Sequence, residues 1–127
     1  MFKLVMIAAG GAGGAVARYL FAGAAQRLHA GLFPVGTLAV NVVGCLLIGV
    51  LGAVFAGPQL VREEYRTALM IGFLGGFTTF STYGWETLTL GETGGLRLAA
   101  LNVVLSNGLG LLAVWFGYRL TIRWMGA

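Results

Sequence analysis

Four apolar stretches, each long enough to cross a bilayer, constrain this chain more than any other feature. A hydrocarbon core about 30 Å thick takes roughly 20 helical residues at about 1.5 Å each. The stretches run from about Leu4 to Ala25, Val35 to Phe55, Ala68 to Leu90 and Leu96 to Tyr118. Only 9% of the residues are charged and 58% are hydrophobic, whereas soluble domains carry about 25% charged residues. So few charges cannot cover a water-exposed surface, and most of this surface must face lipid. The expected fold is an all-α membrane protein of four transmembrane helices, one domain over residues 1–127.

The polar breaks between the stretches are short. They hold Gln26, Arg27, His29 and Pro34, then Gly57, Pro58 and the cluster Arg62 to Arg66, then Gly91 to Gly95. Such connections make sequential helices antiparallel neighbours. Lys3, the first apolar run and Ala22-Gly23-Ala24 imitate a cleaved signal peptide. Arg18 interrupts that run, so a retained first helix is expected. The net charge of +4, from eight basic and four acidic residues, is read as meeting lipid headgroups. No basic cluster interleaved with aromatics offers a nucleic-acid surface. Lys3, Arg62, Arg66, Arg119 and Arg123 fall on one side of the expected bundle, and Arg27 and Arg97 on the other. That bias favours both termini in the cytoplasm. Cys45 is the single cysteine, which excludes an intrachain disulfide.

Within the spans, packing and chemistry can be weighed residue by residue. Gly10 and Gly14, and again Gly72 and Gly76, form G-x-x-x-G pairs, which let helix backbones approach where lipid gives no hydrophobic drive. Arg18 is either a fixed positive charge beside an anion route or a helix-end residue bonding carbonyls or headgroups. Thr37, Asn41 and Cys45 recur every four residues and share one face of the second helix. An unpaired amide in hydrocarbon costs roughly 2–7 kcal/mol, so Asn41 needs partners. Asn102, Ser106 and Gly110 repeat that spacing on the fourth helix, while Asn107 lies on another face. Two such stripes are either interhelical glue or a polar track.

The third span is the most informative. Its run Gly75-Gly76-Phe77-Thr78-Thr79 is poor helix-forming sequence at the centre of a long apolar stretch. A break at Gly75-Gly76 is expected there, freeing backbone carbonyls. Broken backbone at membrane depth occurs where it is buried or lines a cavity. Beyond it, Phe80 and Tyr83 share a face, and Ser81 and Thr82 add hydroxyls. Aromatic edges carry positive quadrupole character and can face an anion.

The run from Gly72 to Tyr83 resembles the signature of the Fluc (CrcB-like) fluoride channels. Gly36-Thr37-Leu38-Ala39-Val40-Asn41 and Gly13-Gly14-Ala15-Val16-Ala17-Arg18-Tyr19 are similar to two further motifs of that family. The resemblance spans essentially the whole chain. It implies an antiparallel, dual-topology homodimer with two pores that passively exports fluoride across the bacterial plasma (inner) membrane. It implies a structural sodium ion at the dimer centre, held by the backbone carbonyls of Gly75 and Thr78. The implied fluoride pathway holds Asn41, Phe80 and Tyr83, the hydroxyls of Thr37, Ser81, Thr82 and Ser106, and Glu86 towards one end. Tyr83 departs from the family's usual phenylalanine.

Other classes fit less well. A small proton-coupled exporter needs a membrane carboxylate; the first helix has none, and Glu86 lies near a helix end. No nucleophile–base pair or metal-ligand cluster marks an enzyme. A purely structural bundle does not need a broken third span.

Overall fold

Each polar break ends a helix. The computed structural model describes residues 1–57 and 61–126, so Pro58 lies outside the described residues. Helix α1 is Phe2–Gln26 and α2 is Val35–Ala56. Helix α3, residues 63–77, is composite: an α-helical start at Glu63–Thr67, a π-helical stretch at Ala68–Phe73 and a last α turn at Leu74–Phe77. Helix α4 is Phe80–Thr93 and α5 is Leu96–Met125. No strand occurs among the described residues. Gly95, with φ of 88°, lets the chain turn sharply from α4 into α5.

Three helices, α1, α2 and α5, are long and apolar enough to cross a membrane unaided. The remaining apolar stretch is divided between α3 and α4. Large apolar side chains such as Leu20, Val104, Leu111, Trp115 and Phe116 are exposed along the bundle, as a lipid-facing surface requires. At 30 residues, α5 is about 45 Å long, longer than the hydrocarbon core is thick. Its last turns carry Arg119 and Arg123 towards headgroup level.

The structure corrects the expected third span twice. Helix α3 begins at Glu63, inside the segment that the sequence reads as a polar break between stretches. Glu63 and Glu64 occupy its first turn, where the helix dipole favours carboxylates. Lys3 pairs with Glu63, and Arg62 with Glu64. The second correction concerns the break. It lies at Thr78 and Thr79, which are extended with ψ of 158° and 117°, and not at Gly75-Gly76, which stay helical in Leu74–Phe77.

Glycines set how closely the helices pack. A Cβ on Gly76 would stand 2.5 Å from the Gly11 carbonyl oxygen, and one on Gly72 2.7 Å from that of Ile7. Reciprocally, Gly10 and Gly14 lie against the carbonyls of Ala68 and Phe73. The two G-x-x-x-G pairs therefore meet each other across the α1–α3 seam. A second seam joins α2 to α5, where a Cβ on Gly117 would stand 2.5 Å from the Leu46 carbonyl. These seams hold α2, α3 and α5 rigidly around the break.

Candidate functional site

The break costs backbone hydrogen bonds that lipid cannot replace. Side chains replace them. Thr78 returns both its amide and its hydroxyl to the Leu74 carbonyl, each at 2.9 Å. Thr79 caps α4, its Oγ1 accepting from the Thr82 amide at 3.3 Å. Asn41, reaching across from α2, accepts from the Thr79 amide at 2.9 Å and donates to the Thr79 carbonyl at 3.1 Å. A single side chain thus completes both backbone groups of the residue at the break.

This exchange explains where the helix opens. Threonine hydroxyls compete with the backbone for hydrogen bonds, and Asn41 supplies an alternative partner. Gly76 is closely packed against Gly11, whereas the space beside Gly75 is open. The Thr79 amide would serve the Gly75 carbonyl in a continuous helix; here it turns to Asn41. The Thr82 amide, which would serve Thr78, turns to Thr79 Oγ1. The carbonyls of Gly75 and Thr78 are therefore left without these helical donors.

Beside the break lies a groove of about 400 Å³. Of the sequence-predicted residues it gathers Asn41, Gly75, Thr78, Phe80, Tyr83 and Ser106. None of its lining residues is charged. The Phe80 and Tyr83 rings stand 5.3 Å apart with planes tilted by 52°. Phe80 is 79% exposed in the single chain, whereas Tyr83 is 9% exposed. Asn41 spends one amide N–H on Thr79 and keeps its second. Ser106 donates to Asn102 Oδ1 at 3.3 Å.

The remaining candidates lie away from the groove lining. Ser81 and Thr82 crowd the Thr79 hydroxyl at 3.4 and 3.0 Å. Thr37 donates to Glu86 Oε1 at 2.8 Å, and Glu86 Oε2 is buried without a partner among the described residues. Arg18 is half-buried on α1, and no ion pair to it occurs among the described residues. Cys45 reaches the groove one turn beyond Asn41, against Gly110.

Sequence reasoning named three further residues without finding their partners. Thr79 is the residue that Asn41 braces, and only its place in a threonine pair hints at that. Asn102, 1% exposed, donates to Thr87 Oγ1 at 2.8 Å, and Thr87 donates on to the Tyr83 carbonyl at 2.7 Å. Asn107 donates to Tyr83 Oη at 3.1 Å. The last two pairs join α4 to α5 at residues distant in sequence, and spacing within one helix carries no signal of them.

The sequence profile of the family described as CrcB-like protein, Camphor Resistance (CrcB), matches residues 5–118. A Geobacter sulfurreducens protein named fluoride-specific ion channel FluC is 49% identical over 117 residues, 92% of this chain and 94% of that protein. A Solibacter usitatus protein of the same name is 42% identical over 121 residues, 95% of this chain and 99% of its own length. A Methylobacillus flagellatus one is 38% identical over the full length of both. The profile covers the break, the α2 stripe and both glycine seams, so the chain is a multi-pass membrane protein and belongs to the CrcB-like family.

Proposed function

We propose that this chain is a fluoride channel that passively exports fluoride from the cytoplasm across a bacterial inner membrane. It works as an antiparallel homodimer with two pores and catalyses no reaction. The observation that carries this reading is the groove at the break: an uncharged wall of ring edges and neutral donors, braced by Asn41. Fluoride is small and strongly hydrated, so a pore must offer close donors in place of water. The second Asn41 N–H supplies one within the groove; the Ser106 hydroxyl adds another when it turns from Asn102 Oδ1 to the ion, and the Ser81 and Thr82 hydroxyls extend the donor set. Neutral donors bind the ion without a fixed charge that would trap it, which conduction requires. Glu86 and Thr37 stand at one end of the route. Phe80, exposed in one chain, is suited to packing against a second.

The chemistry of the break also fits a sodium ion. The carbonyls of Gly75 and Thr78 have lost their helical donors, and the space beside Gly75 Cα is open. Both are hard oxygen donors. One chain supplies two, too few for a hard cation that takes several; a two-fold axis doubles the set. When bound, the ion offsets the clustered carbonyl dipoles and ties the two chains together.

The test is fluoride efflux from liposomes holding the purified protein, followed with a fluoride electrode under a potassium shunt. Electrogenic fluoride efflux with little chloride efflux is expected. Equal fluoride and chloride rates, or no efflux above protein-free liposomes, would overturn the reading.

A further inference from the structure

Asn107 is absent from the motifs that carry the resemblance, yet its amide contacts Tyr83 directly. Its Nδ2 stands 2.8 Å from the Val103 carbonyl and 3.1 Å from the Tyr83 hydroxyl. A backbone carbonyl can only accept, so the amide nitrogen, not the amide oxygen, must occupy this position. Both N–H groups are then spent: one anchors the side chain along α5, the other points at Tyr83 Oη. The phenol is therefore the acceptor in this pair. A hydroxyl that accepts on one side keeps its own proton for another, and accepting strengthens it as a donor. The ring is fixed as well, 9% exposed and packed against Phe80. Both Tyr83 and Asn107 line the groove.

We propose that Asn107 is a positioning residue for the ion route: it holds the Tyr83 hydroxyl so that its O–H donates into the groove, towards fluoride. This rests on the channel reading and extends it to the Tyr83–Asn107 pair. A phenylalanine at position 83 presents a ring edge to the anion. A tyrosine held by Asn107 presents a proton. A tyrosine without Asn107 is free to turn its lone pairs to the groove, and lone pairs repel an anion. Asn107 is thus what makes a tyrosine compatible with anion passage at this place. Losing Asn107 must harm the channel more than losing the hydroxyl.

Three variants test this in the full-length protein in liposomes: Asn107→Leu, Tyr83→Phe and the double. Leucine matches asparagine in size and removes the donor. Asn107→Leu is expected to lower fluoride efflux about tenfold, the scale of one unsatisfied hydroxyl. Tyr83→Phe is expected to lower efflux less than Asn107→Leu does, and the double variant to match Tyr83→Phe, since neither has a hydroxyl left to satisfy. Recovery in the double also shows that Asn107→Leu does not act by unfolding the chain. Full-rate efflux in Asn107→Leu, or an equal loss with phenylalanine at position 83, overturns the proposal. A second readout is independent of transport. The Raman tyrosine doublet, taken as parent minus Tyr83→Phe, isolates Tyr83 and reports its hydrogen bonding. The corresponding difference in the Asn107→Leu background is expected to shift, and an unchanged doublet also overturns the proposal. If the parent itself passes no fluoride, the channel reading fails, while the doublet still decides whether Asn107 sets the hydroxyl.

Discussion

Replacing Asn41 with leucine removes two hydrogen bonds at once. Both go to Thr79, at 2.9 Å from its amide and 3.1 Å to its carbonyl. Thr79 is 9% exposed, and no water in the bilayer core can take over. Each orphaned group costs about 1–3 kcal/mol, so the break is destabilised by about 2–6 kcal/mol. Asn41→Asp dissects that figure. The carboxylate still accepts from the Thr79 amide but sets an oxygen against the Thr79 carbonyl. It loses one bond instead of two, and adds a charge that costs about 2.5–3.5 kcal/mol at membrane depth. Both variants are therefore expected to be similarly destabilised, for different reasons. The assay pairs fluoride efflux from liposomes with thermal unfolding followed by tryptophan fluorescence. Every 1.4 kcal/mol is about tenfold in an equilibrium, so at least a tenfold loss of efflux is expected in each. Parental efflux together with parental unfolding temperature in Asn41→Leu would refute the bracing argument.

Three further outcomes follow from the same geometry. Phe80→Ile removes a ring edge 5.3 Å from Tyr83 and is expected to cut fluoride efflux at least tenfold, about the loss of an aromatic contact worth 1.5 kcal/mol; an unchanged rate removes the ring from the route. Gly76→Ala places a methyl 2.5 Å from the Gly11 carbonyl and is expected to cost about 1–3 kcal/mol by overpacking the α1–α3 seam, measured as a lower unfolding temperature. Glu86→Gln keeps an acceptor for Thr37 and is expected to retain passive fluoride flux without dependence on a proton gradient; proton-coupled transport abolished by this change supports an exporter instead.

The apolar stretches were legible because hydrophobic length is a one-dimensional signal that lipid imposes directly, but not all of their ends were: α3 starts at Glu63 and α5 runs on to Met125, past the expected Ala68 and Tyr118. Val35 to Phe55 was expected for α2, and the helix is Val35–Ala56. The glycine pairs of the α1–α3 seam were legible too, since spacing of four fixes a face, whereas Gly117 of the α2–α5 seam was not singled out. The position of the break was not legible. Propensity singles out Gly75-Gly76 as the weakest helix formers, but both stay helical in Leu74–Phe77, with Gly76 packed against Gly11. The backbone opens one turn later, where Asn41 offers Thr79 a substitute partner. That partner lies 38 residues away, and no local window contains it. The same holds for Asn107 with Tyr83, 24 residues apart on facing helices.

The two roles ascribed to the break are linked by one hydrogen bond. The Thr79 amide can serve the Gly75 carbonyl or Asn41 Oδ1, and it serves Asn41. Holding Asn41 in the groove wall and baring the Gly75 carbonyl are therefore the same event. In the proposed dimer this couples the ion route of each chain to the central cation without any moving part. Weakening the cation site must loosen Asn41, and changing Asn41 must weaken the cation site, because binding couplings are reciprocal. Replacing sodium with a bulky organic cation is thus expected to slow fluoride efflux in the parent. In Asn41→Leu the same exchange is expected to have little further effect, since the hydrogen bond that links the Thr79 amide to the groove wall is already gone. Equal sodium dependence in the two proteins would show that the cation and the route are independent.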